Sequence, residues 1–249
     1  MLILGLNKTN LLDYPEHVAA TIFTGGCNFR CPFCQNGDLV LNPGQQPVIS
    51  EEEVLAVLRK RQGILQGVCI TGGEPTLQKD LKDFIIKVKD LGYLVKLDTN
   101  GYRPEVLKEL LAEERLDYVA MDVKASLENY AKVAGCPGMD LERIRESIAL
   151  LKGSSIPYEF RTTVVKGLHT FKEFEEIGKL LEGSRAYYLR AFRESERVLG
   201  LRMDAESGKL LSAEEKPAPV MEAFSAKEME RMAEIARKFI DKVEIRGIE

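Results

Sequence analysis

The chain has 249 residues, 45% of them hydrophobic and 30% charged, a balance that supplies a substantial core and excludes a disordered, collagen-like or small disulfide-stapled protein. Thirty-five Lys and Arg against 39 Asp and Glu leave a net charge of −4, which offers no general field for nucleic acid or a membrane surface. No apolar run approaches the roughly 18 residues of a membrane span, Met1–Gly5 opens no signal peptide, and the five cysteines are an odd number, so the chain is expected to be cytoplasmic, reduced and a single domain over 1–249.

From residue 17 onward, short β-branched runs alternate with stretches of helical period, the pattern of repeated βα units around a parallel sheet. In chain order the strands are expected at Val18–Thr24, Gly67–Thr71, Leu94–Asp98, Tyr118–Val123, Tyr158–Val165 and Tyr187–Phe192. The helices between them are expected at Glu51–Arg61, Gln78–Leu91, Pro104–Glu113, Leu141–Lys152 and Phe171–Leu181. Ser50 with Glu53, Thr170 with Glu173 and Ser225 with Glu228 match the capping box, in which two side chains satisfy free amides of a first helical turn. After this core of about 17–192, residues 193–224 carry many charges with Gly200, Gly208, Pro217 and Pro219, and are expected to be an irregular excursion. A last helix, Ala226–Phe239, and a short strand, Lys242–Arg246, close the chain. Parallel strands with crossover helices form either an open doubly wound sheet or a barrel, and periodicity does not choose between them.

The loop after the first expected strand, Thr24-Gly-Gly-Cys27-Asn-Phe-Arg-Cys31-Pro-Phe-Cys34-Gln-Asn36, carries three cysteines within eight residues. It lies at the C-terminal edge of the sheet, where α/β folds bind ligands. Three soft thiolates suit zinc or an iron–sulfur cluster. A structural zinc ion needs a fourth protein ligand, and Cys69, Cys136, His17 and His169 all lack motif spacing to the three. Three unligated thiols packed together are the other alternative, for which a glycine-rich loop gives little reason. Two histidines leave no inventory for a multi-histidine mechanism.

Four further features lie near strand ends. Thr71-Gly72-Gly73-Glu74-Pro75 is either an ordinary strand-to-helix turn or a close approach of backbone to a ligand. Asp98-Thr99-Asn100-Gly101 is a turn of the kind that Asn and Gly favour. Met121-Asp122-Val123-Lys124 puts Asp122 and Lys124 on one strand face, as an edge salt bridge or as a pair facing a ligand. Arg161 in the fifth strand is a third charged candidate, and Phe33 is a loop aromatic suited to burial. Cys69 reads as core packing, Cys136 as a loop thiol, His17 as lying at the opposite sheet end, and His169 as an ordinary loop histidine or a ligand contact.

The Cys-x-x-x-Cys-x-x-Cys spacing at Cys27, Cys31 and Cys34 resembles the signature of the radical S-adenosylmethionine (SAM) superfamily. The resemblance implies a partial (β/α)6 TIM-type barrel, open at one side. It implies that the three cysteines hold a [4Fe–4S] cluster with one iron left for the amino and carboxylate groups of SAM. One electron from the cluster would then break the S–C5′ bond, leaving methionine and a 5′-deoxyadenosyl radical that takes hydrogen from a substrate. By the same resemblance Gly73 and Glu74 bind the SAM ammonium, and Phe33 packs near its adenine. Asp98, Thr99 and Asn100 lie at the SAM pocket and give oxygen ligands to a monovalent cation. Lys124 contacts the SAM carboxylate, Asp122 helps form the cation site, and Arg161 binds carboxylate or substrate. The family's histidine near the end of the sixth strand has no counterpart in Leu189–Phe192, so that role is not carried across.

Asp13-Tyr14-Pro15, the run from Gly26 to Asn36, Asp-Thr-Asn-Gly and Asp-x-Lys together resemble the activating proteins of anaerobic ribonucleoside-triphosphate reductases, although many activators carry Asp-Gly-Pro-Gly where Asp13-Tyr14-Pro15 stands. This implies a glycyl-radical enzyme such as anaerobic ribonucleotide reductase as partner, and a low-potential electron donor of flavodoxin or ferredoxin type. The 193–224 excursion is then expected beside the barrel opening, docking or covering the substrate. Two other readings are a radical SAM enzyme acting on a small molecule or modified nucleoside, and a non-catalytic iron–sulfur redox or binding protein.

Overall fold

The β-branched runs form strands and the amphipathic stretches form helices in a computed structural model that describes residues 1–193, 195, 198–202 and 221–248. The chain packs as two compact units: residues 1–28, 38–121 and 142–158 make the first, and residues 29–37, 122–141 and 159–249 the second.

In the first unit β1 (Ile3–Asn10) runs antiparallel to β2 (Ala19–Thr24). β2, β3 (Gly67–Gly72), β4 (Leu94–Thr99) and β5 (Tyr118–Asp122) follow as parallel neighbours in chain order. Ala20, Ile22, Val68, Ile70, Val95, Leu97 and Val119 are fully buried, as parallel strands covered on both faces require. Thr24 pairs with Gly72, Ile70 with Leu97 and Thr99 with Met121, so this register brings the C-terminal ends of the four strands level. The cysteine loop, Gly-Gly-Glu-Pro and Asp-Thr-Asn-Gly all leave from these ends. α1 (Gly37–Leu41) follows the cysteine loop, and α2 (Glu51–Lys60), α3 (Leu81–Asp90) and α4 (Pro104–Ala112) cross between strands. They bury one stripe each, Val54, Leu55 and Leu58 on α2 and Phe84, Ile85 and Val88 on α3. Each such side chain contributes about 1.5–3 kcal/mol, more than the differences in helix propensity of up to about 0.7 kcal/mol among residues other than Gly and Pro.

In the second unit α5 (Tyr130–Val133) is a single turn. α6 (Leu141–Lys152), which belongs almost wholly to the first unit, buries Ile144, Ile148 and Leu151. β6 (Tyr158–Val164), β7 (Tyr187–Ala191) and β8 (Val243–Arg246) are parallel, with Arg161 beside Tyr188 and Leu189 beside Ile245. α7 (Phe171–Leu180) and α8 (Ala226–Ala236) bury Phe174 and Ile177, and Met229, Met232 and Ala233.

The expected α/β class and parallel strands are thus present, as is the short closing strand. β1 was not expected, because Gly5, Asn7, Lys8 and Thr9 break its alternation; pairing with β2 makes it a strand. The helix expected from Gln78 starts at Leu81, because Pro75–Leu77 forms a 3-10 turn on which Glu74 caps the Thr76 amide at 3.1 Å. Of the 193–224 excursion, Leu199–Arg202 is a 3-10 turn and Glu222 exchanges backbone hydrogen bonds with Lys166; residues 203–220, and with them the expected docking element, lie outside the described residues.

The three expected capping boxes are present. Ser50 Oγ accepts the Glu53 amide at 3.2 Å while Glu53 accepts the Ser50 amide at 2.8 Å, and Ser225 with Glu228 repeats the exchange. At Thr170 the Glu173 carboxylate accepts the Thr170 amide at 3.1 Å. Replacing Ser50 by Ala is expected to cost about 1 kcal/mol in urea unfolding, with an unchanged denaturant slope, because only the first turn of α2 loses its partner.

Candidate active site

The glycines of the first unit bring two strand ends into backbone contact. Gly73 donates its amide to Thr24 O and Glu74 donates to Gly26 O, each at 2.8 Å. A Cβ on Gly73 would stand 1.9 Å from Gly26 O, and Gly72 has φ +119 with no room for a side chain against Thr24. Any other residue at either position would force the two loops apart.

This lacing buries Glu74, whose side chain is 1% exposed. Oε1 accepts from the Thr76 amide at 3.1 Å, Thr76 Oγ1 at 2.6 Å and Thr99 Oγ1 at 2.7 Å, and Oε2 accepts from the Asn100 amide at 2.7 Å. Burial pushes the Glu74 pKa up, against four donors that favour the carboxylate. The site therefore favours a positive group beside Glu74. Asn100 Nδ2 donates to Asn28 Oδ1 at 2.8 Å and approaches Cys27 Sγ at 3.8 Å, and the buried Asn28 Nδ2 has no acceptor. Asp98 on β4 is ion-paired with Lys96, itself 1% exposed.

In the second unit the Ala134 carbonyl, after α5, accepts the Arg30 amide at 2.9 Å and the Cys31 thiol at 3.6 Å. Leu199 and Gly200 donate to Cys34 O and Pro32 O at 2.8 and 2.7 Å, which fixes the other side of the loop. Burial raises the Cys34 pKa, while the Asn36 amide and then Lys124 oppose it. Phe33 is buried, edge-on to His169 at 6.5 Å between ring centroids. His169 uses both ring nitrogens within the fold, Nδ1 accepting the Val165 amide at 3.1 Å and Nε2 meeting Lys124 O at 2.8 Å. It fixes the Lys124 backbone.

Asp122, at the end of β5, accepts from Arg161 Nε at 2.9 Å on Oδ1 and from Lys124 Nζ at 3.0 Å on Oδ2. Arg161 leads on to buried Glu159 at 3.8 Å, which takes a two-pronged bond from Arg246 at 3.0 and 2.9 Å. Arg246 in turn stacks 3.4 Å from the Tyr188 ring centroid. Burial alone would raise the Asp122 pKa, but Arg161 and then Lys124 hold it well below the usual carboxylate range. Burial alone would lower Lys124, and Asp122 holds it above the usual lysine range.

Glu74, Thr99, Asn100 and Cys27 are thus linked in the first unit, and Asp122, Lys124 and Arg161 in the second. Among the described residues no three Cys, His, Asp or Glu side chains are gathered about one metal-ion position. Three thiols within one loop are the donor type that an iron–sulfur cluster takes, and in the first unit the Asn28 side-chain amide beside Cys27, which has no acceptor, offers a hydrogen bond to one. In the first unit Asp13 accepts from Thr21 Oγ1 at 2.7 Å and Tyr14 packs on Gly67 at the start of β3, the opposite strand end from Gly72 and Gly73. Asn28, Thr76, Lys96, Glu159 and Arg246 escaped the sequence reading. For three of these the signal was present, a charged residue inside an apolar strand at Lys96, Glu159 and Arg246.

The model of the radical SAM superfamily matches residues 21–181. The chain is 33% identical over 251 residues to the protein named "Putative glycyl-radical enzyme activating enzyme MJ1227" of Methanocaldococcus jannaschii, covering 99% of this chain and 96% of that one. It is 32% identical over 149 residues to a "Probable GTP 3',8-cyclase" of Thermococcus kodakarensis, covering 59% of this chain and 47% of that protein. Among solved structures, Streptococcus suis SuiB bound to precursor peptide SuiA aligns with a TM-score of 0.67 at 13% identity, over 92% of this chain and 48% of SuiB, so the chain spans about half of that protein. A domain of pyruvate-formate lyase-activating enzyme from Bacteroides vulgatus aligns with a TM-score of 0.51 at 17% identity, over 73% of this chain and 99% of that domain. The chain belongs to the radical SAM superfamily and has its α/β fold. Membership brings with it a [4Fe–4S] cluster and SAM. Among the described residues no helix is long and apolar enough to cross a membrane.

Because Asp122 is depressed and Lys124 raised, their pairing is complete above the ordinary carboxylate range and below the ordinary lysine range. A double-mutant cycle of Asp122→Asn and Arg161→Gln is therefore expected to give a coupling of about 1–3 kcal/mol in urea unfolding, flat between about pH 5 and 9. A coupling that collapses within that window would contradict the assignment.

Proposed function

We propose that this radical SAM enzyme activates a glycyl-radical enzyme, such as an anaerobic ribonucleotide reductase. The observation that carries the reading is the similarity to the Methanocaldococcus jannaschii protein along nearly the full length of both chains. A second relative of that name is 30% identical over 65% of this chain. In this reading the cytoplasmic enzyme draws electrons from a flavodoxin- or ferredoxin-type donor.

Cys27, Cys31 and Cys34 would hold the cluster. A reduced cluster held there would supply the one electron that, passed to bound SAM, splits its S–C5′ bond into methionine and a 5′-deoxyadenosyl radical able to take the α-hydrogen of one glycine, leaving 5′-deoxyadenosine and a glycyl radical. The chain's own residues bind and orient. Glu74 would meet the SAM ammonium, with Gly73 supplying backbone; the burial of Glu74 and its hydrogen bonds from Thr99 and Asn100, which fix the carboxylate, support this role. Lys124 and Arg161 both meet Asp122, and with Glu159 and Arg246 this chain of charges has one more cation than anions, a surplus suited to the SAM carboxylate. Phe33 offers an apolar face for adenine.

Similarity to GTP 3',8-cyclases over 59% of the chain favours a second reading, a small-molecule nucleotide substrate. The two separate when the anaerobically reconstituted protein is given reductant, SAM and a candidate reductase, with EPR and 5′-deoxyadenosine read in one tube and Cys31→Ala as control. A glycyl-type doublet matched by 5′-deoxyadenosine is the expected result. Product formed with GTP and without a doublet would move the assignment to the nucleotide. Lys124→Ala is expected to weaken SAM binding about tenfold or more in equilibrium dialysis, the loss of one charge-assisted hydrogen bond, with cluster iron unchanged.

A further inference from the structure

The two aspartates that the resemblance gives to a monovalent cation are both matched by cations of this chain. Asp122 has one oxygen on Arg161 and the other on Lys124. Asp98 has Lys96, two residues before it on the same face of β4. Lys96 is not a surface lysine folded back: it is 1% exposed, in register with Cys69 on β3 and Tyr118 on β5. Its ammonium stands 3.8 Å from the Cys69 sulfur and 5.8 Å from the Tyr118 ring centroid. Neither neighbour carries a formal negative charge to match it, and a buried ammonium is retained only beside an anion. Asp98 is that anion. A sodium or potassium ion joining Asp98 would bring a second positive charge against Lys96 where the dielectric is low.

We propose that Lys96 is a built-in counter-ion that takes the place of a monovalent cation at Asp98, so that this enzyme binds SAM without bound sodium or potassium. Lys96 is a positioning residue: it holds the carboxylate that precedes Thr99 and Asn100, which in turn hold Glu74. The inference rests on the reading that these residues stand at the SAM pocket.

The test compares wild type, Lys96→Met, Lys96→Arg and the Lys96→Met/Asp98→Asn double variant in choline, sodium and potassium chloride at matched ionic strength. Apoprotein melting temperature is read for each, and SAM affinity for each reconstituted form. Wild type and Lys96→Arg are expected to behave alike in all three salts. Lys96→Met in choline is expected to melt several degrees lower and to bind SAM about tenfold more weakly, and to regain both in sodium or potassium. The double variant, with neither charge, should again be indifferent to the salt. Wild type that binds SAM about tenfold more weakly in choline, or Lys96→Met that melts identically in every salt, would overturn the proposal. If Lys96→Met does not fold, a folded double variant supports the proposal and an unfolded one contradicts it. The melting arm needs no SAM, so its success beside a wild type that binds none would count against the functional reading alone.

Discussion

A carboxylate buried in the interior, Glu74, is the constraint on which the arrangement of the first unit depends. Desolvation works against its charge, and four donors, from Thr76, Thr99 and Asn100, are committed to offsetting it. Those donors come from two different strand ends, so keeping Glu74 satisfied fixes the turn after β3 against the turn after β4. Gly72 and Gly73 allow the first of these turns to lie on the backbone of Thr24 and Gly26, one residue before Cys27. The position of one cysteine, two glycines and the Asp-Thr-Asn-Gly turn is therefore a single mechanical unit.

The second unit solves the opposite problem, an excess of cations. From Lys124 through Asp122, Arg161 and Glu159 to Arg246, positive and negative groups alternate, with one more cation than anions. Such a chain holds each long side chain in one geometry and leaves net positive charge in a low-dielectric setting, where an anionic group is bound most strongly. His169, expected either to touch a ligand or to be an ordinary loop residue, instead fixes the Lys124 backbone with one ring nitrogen and caps Val165 with the other.

Much of this was legible in the sequence because parallel βα units write their period clearly and their C-terminal loops carry the chemistry. The six core strands, the crossover helices and the cysteine triad could be read from apolar runs and spacing. β1 was hidden because an edge strand made of Leu4, Gly5, Asn7 and Lys8 has no alternation to detect, and its pairing with β2 is a tertiary fact. α1 and α5 are too short to show a period. Lys96, Glu159 and Arg246 were passed over as charges within strands, although a charge in a buried strand demands a partner and so announces one. Spacing alone named no cofactor; that came from the likeness of the triad to a family, which the match over residues 21–181 bears out.

In the proposed function the buried carboxylate and the surplus cations would each bind part of a zwitterionic cosubstrate, whose chemistry would be delivered to one carbon of a second protein. Isotope transfer tests this most directly. A candidate glycyl-radical partner is prepared with deuterated glycine, incubated anaerobically with the reconstituted enzyme, SAM and reductant, and the 5′-deoxyadenosine is weighed by mass spectrometry. Product carrying one deuterium, only when the partner's glycine is labelled, is the predicted result. Unlabelled 5′-deoxyadenosine formed in full yield from the labelled partner would show that the hydrogen comes from elsewhere and would contradict the account.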